Sequence, residues 1–289
     1  MPEIWFPYLG IKIDHLSRVA FTIFGYNIYW YGLIIGTAIV AAFALVLYEA
    51  KRSGQNQNDY IDFASFVIIL SIIGARLYYV IFSWDYYKDN PLKIFAIHEG
   101  GLAIYGAIIT GIICGLVFSK VKKLNFFLMF DTVIPSVLLG QICGRWGNFF
   151  NREAFGGYTD SLFAMRYLSE QVPNIPSGVA EHIININGAS YIQVHPTFLY
   201  ESSLNLCLFI LLIILRKHKK FHGQIGALYL IGYGIIRFFV ESLRTDQLLI
   251  GSMGIPVSQV VSAIIFAIGI VLYLRLSKTP VNKGDSIEN

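Results

Sequence analysis

Seven apolar runs punctuate the chain, near residues 28–48, 61–83, 100–119, 126–145, 196–215, 224–243 and 256–275. About 20 apolar residues cross the hydrocarbon core of a bilayer as a helix. Inside that core no water is present to satisfy backbone N–H and C=O groups, so each run must be helical. The pattern predicts an all-α polytopic membrane protein with seven transmembrane helices. Composition agrees: of 289 residues, 55% are hydrophobic and 14% charged, against about 25% charged in soluble domains. The mean hydropathy is +0.59. A soluble fold of this length cannot hide so much apolar surface in one or two cores. Asp131 and Pro135 interrupt the fourth run and leave its course the least defined.

The polar links fix an expected orientation. Lys51 and Arg52 follow the first run, and Lys120, Lys122 and Lys123 the third. Arg216, Lys217, Lys219 and Lys220 follow the fifth, and Arg275, Lys278 and Lys283 the seventh. With seven alternating spans, these twelve of the 22 basic residues share one side. By the positive-inside rule that side is cytoplasmic, with the N-terminus outside and the C-terminus inside. The chain then divides into an external or interfacial lead-in, 1–27, containing Trp5, Phe6, Tyr8 and Phe24. Helices 1–4 follow over 28–145, then a small external head, 146–195, of α+β or irregular structure. Helices 5–7 occupy 196–275 and a cytoplasmic tail 276–289. Within the head, IININGASYIQVHP is rich enough in β-branched residues to supply a strand or two.

Other classes fit poorly. The basic residues are not gathered on one polar face, which argues against a nucleic-acid partner. Cys114, Cys143 and Cys207 have no metal-ligand or disulfide spacing and read as small helix-packing residues. The first residues lack the pattern of a cleaved signal peptide. No zinc motif, nucleophile elbow or phosphate-cradling loop is visible.

Ionisable residues are expensive inside a bilayer and mark function by default. Arg76 (in GARLYYV), Arg145, Glu201, Arg237 and Glu241 all fall toward the outer half of the predicted spans. Tyr233, Arg237 and Glu241 are four apart and stack on one helical face, with Arg244 three residues on. Arg237 and Glu241 can pair, and a lone pair serves equally well as a structural tie. Three arginines at one level outnumber the nearby carboxylates on this reading, and an excess of cations favours an anion such as a phospholipid phosphate. GRWGNFFNREAFGG adds Asn148, Asn151, Arg152 and Glu153 to Arg145, with glycines for close approach. HPTFLYE places Tyr200 and Glu201 early in the fifth helix behind Pro196, with His195 ahead of them. Gly111 and Gly115 form a small-xxx-small packing pattern. Tyr31 reads as interfacial. An anion transporter and a seven-helix receptor remain open on these grounds, although transporters bind near the midplane between repeats and no repeat is seen here.

The motifs together resemble one family, the bacterial prolipoprotein diacylglyceryl transferases. GRWGNFFNREAFGG matches its GRxGNFxNxExxG stretch. WYGL, GAR, GGLAIYG, HPTFLYE and LIGYGIIRFFVESLR follow the family order from about residue 28 to 275. The resemblance implies transfer of the diacylglyceryl group of phosphatidylglycerol to the thiol of a lipobox cysteine in a prolipoprotein signal peptide, releasing glycerol phosphate. It implies the bacterial plasma membrane, an active site toward the outer leaflet, and no metal or other cofactor. It carries catalytic roles to Arg145, Arg237, Tyr105 and Glu241. It carries phosphatidylglycerol and headgroup binding to Arg145, Asn148, Glu153, Arg76, Arg244, Tyr31 and Tyr233, and support to His195, Tyr200 and Glu201. Tyr105 stands where many relatives have histidine, and a tyrosine is a poor general base at neutral pH. Gly157 stands where many have arginine, which leaves one anion ligand fewer, and Arg152 is the nearest substitute in sequence. In the implied reaction the substrate thiolate displaces glycerol phosphate from the glycerol carbon. Arg145 and Arg237 hold the phosphate, Arg76 or Arg244 steers the headgroup, Glu241 orients Arg237, and Tyr31 lines the passage.

Overall fold

The structure is a computed structural model that describes residues 1–97, 100–251 and 254–279. Most of the expected tail, including Lys283, therefore lies outside the described residues. In chain order the elements are β1 (Ile4–Phe6), β2 (Ile11–Ile13), β3 (Val19–Ile23), β4 (Tyr26–Tyr29), α1 (Trp30–Arg52), α2 (Gln57–Phe82) and a short turn α3 (Trp84–Tyr87). These are followed by α4 (Ile104–Val121), α5 (Phe126–Asn151), β5 (Met165–Leu168), a second short turn α6 (Ser177–Ala180), β6 (Ile184–Ile186) and β7 (Ala189–Val194). The last three are α7 (Thr197–Leu215), α8 (Gln224–Leu243) and α9 (Val257–Leu276). Seven of these helices are long and apolar enough to cross a membrane. They include α4, which at 18 residues rises about 27 Å. Large apolar side chains such as Val40, Phe66, Ile69, Ile109 and Val271 point outward along them. That is unfavourable in water and neutral in lipid, where tails are as apolar as leucine. This is a multi-pass helical membrane protein.

Two features of α5 differ from expectation. It runs unbroken through Asp131 and Pro135, because proline is tolerated in membrane helices where neighbouring side chains and local adjustments re-satisfy the carbonyl it frees. It also continues to Asn151 rather than ending near 145. Most of GRWGNFFN is thus the last two turns of a membrane helix, not a loop.

The chain forms two compact units. The first comprises Met1–Ala42 and the described residues from Ile134; the second comprises, of the described residues, Phe43–Val133. In the first, strands from the N-terminal lead-in and from residues 165–194 make one antiparallel sheet of order β2-β1-β5-β7-β6. The lead-in and the later polar insertion are therefore one structure. The sheet's apolar side (Ile4, Met165, Tyr167, Ile192, Val194) packs with Phe149 of α5 and Phe198 of α7, whose rings stack at 4.6 Å. Buried Arg152 ties the N-terminal segment to this core through Glu3 Oε2 at 2.9 Å and the Leu16 carbonyl at 2.7 Å. The strands β3 and β4 form a separate hairpin leading into α1.

In the second unit, α2 crosses α4 where Gly106 meets Gly74 backbone to backbone. This corrects the expectation that Gly111 and Gly115 make the close crossing; their faces meet only side chains, at 3.4 Å or more from where a Cβ would stand. A polar cluster joins α2 and α5 as well. Tyr60 Oη donates to Gln55 Oε1, and Gln55 Nε2 donates to Thr132 Oγ1 at 2.7 Å.

Candidate active site

Three helices of the first unit bring their membrane charges to one point. Arg145 of α5 donates through Nη2 to Glu201 Oε1 at 2.8 Å, and Arg237 of α8 donates through Nη1 to Glu201 Oε2 at 3.0 Å. Glu201 of α7 is 1% exposed and stands at the centre. The second Nη of Arg237 pairs with Glu241 Oε2 at 2.5 Å, one turn along α8. Beyond it, Arg244 Nε lies 4.0 Å from Glu241 Oε2 and grips Asp246 with two hydrogen bonds of 2.9 and 2.6 Å. Four-residue spacing sets Arg237 against Glu241 on one helix. The placement of Glu201 between the two arginines depends on how α5, α7 and α8 pack.

The expected excess of positive charge counted Arg76, Arg145 and Arg237; Arg76 belongs to the second unit, and the cluster itself carries no excess. Arg145, Arg237 and Arg244 are matched by Glu201, Glu241 and Asp246. Asp246 joins this candidate site although sequence reasoning missed it; its signal is an acid two residues past the last arginine of the sixth-span motif. Burial alone would lower the affinity of Arg244 for its proton, yet the Asp246 carboxylate holds its pKa above the ordinary range. The same contact holds Asp246 below the usual carboxylate range, against the opposite effect of burial.

The end of α5 carries a second string of polar contacts. Arg145 Nη1 donates to Asn148 Oδ1 at 3.4 Å. Asn148 Nδ2 and Asn151 Nδ2 each donate to Glu153 Oε1 at 3.1 Å. Gly156 and Gly157 then thread between the end of α8 and His195. Gly156 N donates to the His195 carbonyl at 3.0 Å, and Gly157 N to the Leu243 carbonyl at 2.9 Å. A Cβ on Gly156 would stand 2.7 Å from the Leu243 carbonyl oxygen and 2.8 Å from the His195 Cβ, so only glycine fits. Gly147 is likewise covered by the Tyr31 ring, whose Cδ2 lies 2.8 Å from where its Cβ would be. In the sequence these glycines suggest ligand approach; in the fold they admit the protein's own chain and ring. His195 Nδ1 lies 3.4 Å from Tyr200 Oη, and burial pushes its pKa down, toward the neutral imidazole. Tyr233 stacks on Tyr229 at 5.5 Å, and Tyr229 Oη accepts from Gln141 Nε2 at 2.9 Å.

Arg76 and Arg152 are occupied by protein partners. Arg76, in the second unit, donates to the carbonyls of Lys93 (2.7 Å), Ile94 (2.8 Å), Gly100 (2.6 Å) and Gly101 (3.0 Å). Its guanidinium also lies over the Tyr87 ring at 5.2 Å. It organises the loop entering α4, where Tyr105 lies with its ring 6.5 Å from that of Tyr78. This departs from the phosphate-steering role expected of Arg76. Arg152 is bound to Glu3 and Leu16, so it does not stand in for an arginine at position 157.

The family model described as prolipoprotein diacylglyceryl transferase matches residues 18–275. The chain belongs to this family. Curated relatives named phosphatidylglycerol–prolipoprotein diacylglyceryl transferase agree along nearly their whole length. One from Finegoldia magna is 43% identical over 93% of this chain and 100% of its own. One from Clostridioides difficile is 41% identical over 92% and 98%, and one from Listeria welshimeri 41% identical over 94% and 95%. The matched family span contains every residue of the arginine–carboxylate cluster, the α5 signature and Tyr105.

Proposed function

We propose that this chain performs the transfer for which its relatives are named, moving the diacylglyceryl group of phosphatidylglycerol onto the lipobox cysteine thiol of a prolipoprotein. The observation that carries the reading is the Arg145–Glu201–Arg237 cluster, set inside membrane helices of a chain matched to this family over residues 18–275. Purified protein, phosphatidylglycerol and a lipobox peptide, with and without its cysteine, test it by mass spectrometry. A diacylglyceryl mass gain that requires the thiol supports the reading; no gain refutes it.

In the proposed reaction the thiolate attacks the glycerol carbon that bears the phosphate ester. The C–S bond forms as the C–O bond breaks, and glycerol phosphate leaves with the bonding electrons. Arg145 and Arg237 stabilise charge on the departing phosphate, where preorganised cations act most strongly. Cations close to the thiol also increase its thiolate fraction. Glu241 orients Arg237, and Asn148 with Glu153 binds the glycerol headgroup at the end of α5. Arg244, fixed by Asp246, holds the end of α8 beside the Gly156–Gly157 segment. Tyr31 and Tyr233 line the lipid or peptide passage, and Tyr105 orients substrate in the place of the histidine of many relatives. His195 and Tyr200 support the start of α7. Arg76 acts through the loop it holds.

From the basic links and the positive-inside rule we infer that their side is cytoplasmic in a bacterium, with the N-terminus outside and the C-terminus inside. On this reading the sheet forms an external head together with the chain between α5 and α7, and the charge cluster lies toward the outer leaflet of the plasma membrane.

A further inference from the structure

Resting on that reading, we propose that Glu201 is a displaceable counter-ion. It holds the anion seat between Arg145 and Arg237 until the substrate phosphate takes it, and Asn205 receives its carboxylate while the phosphate is bound.

The seat is already filled by an internal anion. Each Glu201 oxygen takes one guanidinium, at 2.8 and 3.0 Å, and two oxygens of a phosphodiester can bridge two arginines in the same way. A carboxylate and a phosphate cannot both face the same two guanidinium groups, so phosphate enters only where the carboxylate between them yields. Glu241 is placed between Arg237 and Arg244, and Asp246 is held by two bonds to Arg244 at the exposed end of the cluster. Glu201 alone among these acids touches both Arg145 and Arg237. Tyr229 and Arg244 of the α8 segment also act on it electrostatically, and among the described residues neither is seen to donate a hydrogen bond to its oxygens.

A second observation says where the carboxylate goes. Asn205 lies one turn further along α7, on the face that carries Glu201. It is wholly buried, and neither its Oδ1 nor its Nδ2 has a hydrogen-bond partner among the described residues. A buried amide without partners is rare and costly. Side chains on a helix lean toward its N-terminus, which directs the Asn205 amide toward the turn of Glu201. A rotamer change of Glu201 lets its carboxylate accept from Asn205 Nδ2. That contact satisfies the amide and frees both guanidinium groups for phosphate. Asn205 is thus a positioning residue that acts through Glu201.

The test measures binding of sn-glycerol 1-phosphate by calorimetry to the full chain in nanodiscs, alongside the transfer assay. Glu201→Gln keeps the shape and removes the competing charge, and should bind glycerol phosphate roughly tenfold more tightly. Asn205→Leu removes the receiving amide and should bind it roughly tenfold more weakly. A purely structural Glu201 predicts the opposite sign for the first variant, because misaligned arginines bind phosphate less well. Weaker or unchanged binding by Glu201→Gln therefore overturns the proposal, as does unchanged binding by Asn205→Leu. If Glu201→Gln does not fold, Asn205→Leu decides alone. A wild-type chain that transfers no lipid refutes the functional reading, whereas the sign of the Glu201→Gln change reads the counter-ion role separately.

Discussion

Replacing Arg237 by lysine separates charge from geometry at the centre of the cluster. The wild-type guanidinium bridges two acids, with Nη1 3.0 Å from Glu201 Oε2 and Nη2 2.5 Å from Glu241 Oε2. A lysine keeps the positive charge but has one nitrogen on a flexible stem, and it cannot reproduce a planar two-pronged bridge. Loss of one preorganised donor to developing oxyanion charge lowers kcat by about 100- to 1,000-fold in characterised enzymes. A hundredfold loss corresponds to about 2.7 kcal/mol of activation free energy. Because the charge remains, neither carboxylate is left as a bare buried anion, and the large destabilisation of a broken buried pair is avoided. Arg237→Lys should therefore lower kcat for transfer of labelled diacylglycerol to a lipobox peptide about a hundredfold, with a melting temperature near that of the wild type. Initial rates across a phosphatidylglycerol series give kcat and KM, and thermal unfolding in the same detergent gives stability. Transfer within threefold of wild type would refute the bridging role. An equal loss accompanied by collapse of the melting transition would show that Arg237 serves folding instead.

Other consequences follow from neighbouring contacts. Arg76→Lys offers three donors in place of five to a ring of carbonyls. It should speed proteolytic cleavage within residues 91–97 and reduce transfer about tenfold; unchanged cleavage would contradict the loop-holding role. Gly156→Ala forces a Cβ to within 2.7 Å of the Leu243 carbonyl oxygen. Transfer and melting temperature should both fall, by about 1–3 kcal/mol of stability for overpacking, and a fully stable, active variant would show that the segment can shift. Glu3 has its pKa held below 4.5: burial would raise it, but the Leu16 N–H, Gln171, His15 and Arg152 outweigh that. A depressed carboxylate contributes stability above its unfolded pKa and loses it as pH falls through the folded value. Head stability should thus drop as pH falls below about 4.5, and Glu3→Gln should flatten that dependence in hydrogen exchange of β1. An unchanged profile would show that the contact contributes nothing.

The membrane character, the seven apolar helices and the position of the key charges along them are legible in the sequence because they follow from apolar run length and from the cost of burying ions. The pairing of Arg237 with Glu241 is legible too, since four-residue spacing sets neighbours within one helix. The end of α5 is not: its polar signature looks like a loop, yet helical hydrogen bonding continues through Asn151. Arg76 and Arg145 look alike in sequence as membrane-level cations, and Arg152 reads as a spare anion ligand beside them. The fold gives the first to backbone carbonyls, the second to Glu201 and the third to Glu3.

By itself, then, the sequence determined the solvent this protein folds in, the number of its membrane helices, its family motifs and the contacts within each helix. Tertiary structure alone decided the charge balance of the cluster, the central place of Glu201, and the sheet that joins residues 4–13 to 165–194. The physical reason is that periodicity along a chain specifies which side chains share a face. Which faces meet depends on packing among elements far apart in sequence, and there a guanidinium takes whichever oxygens the fold brings within reach.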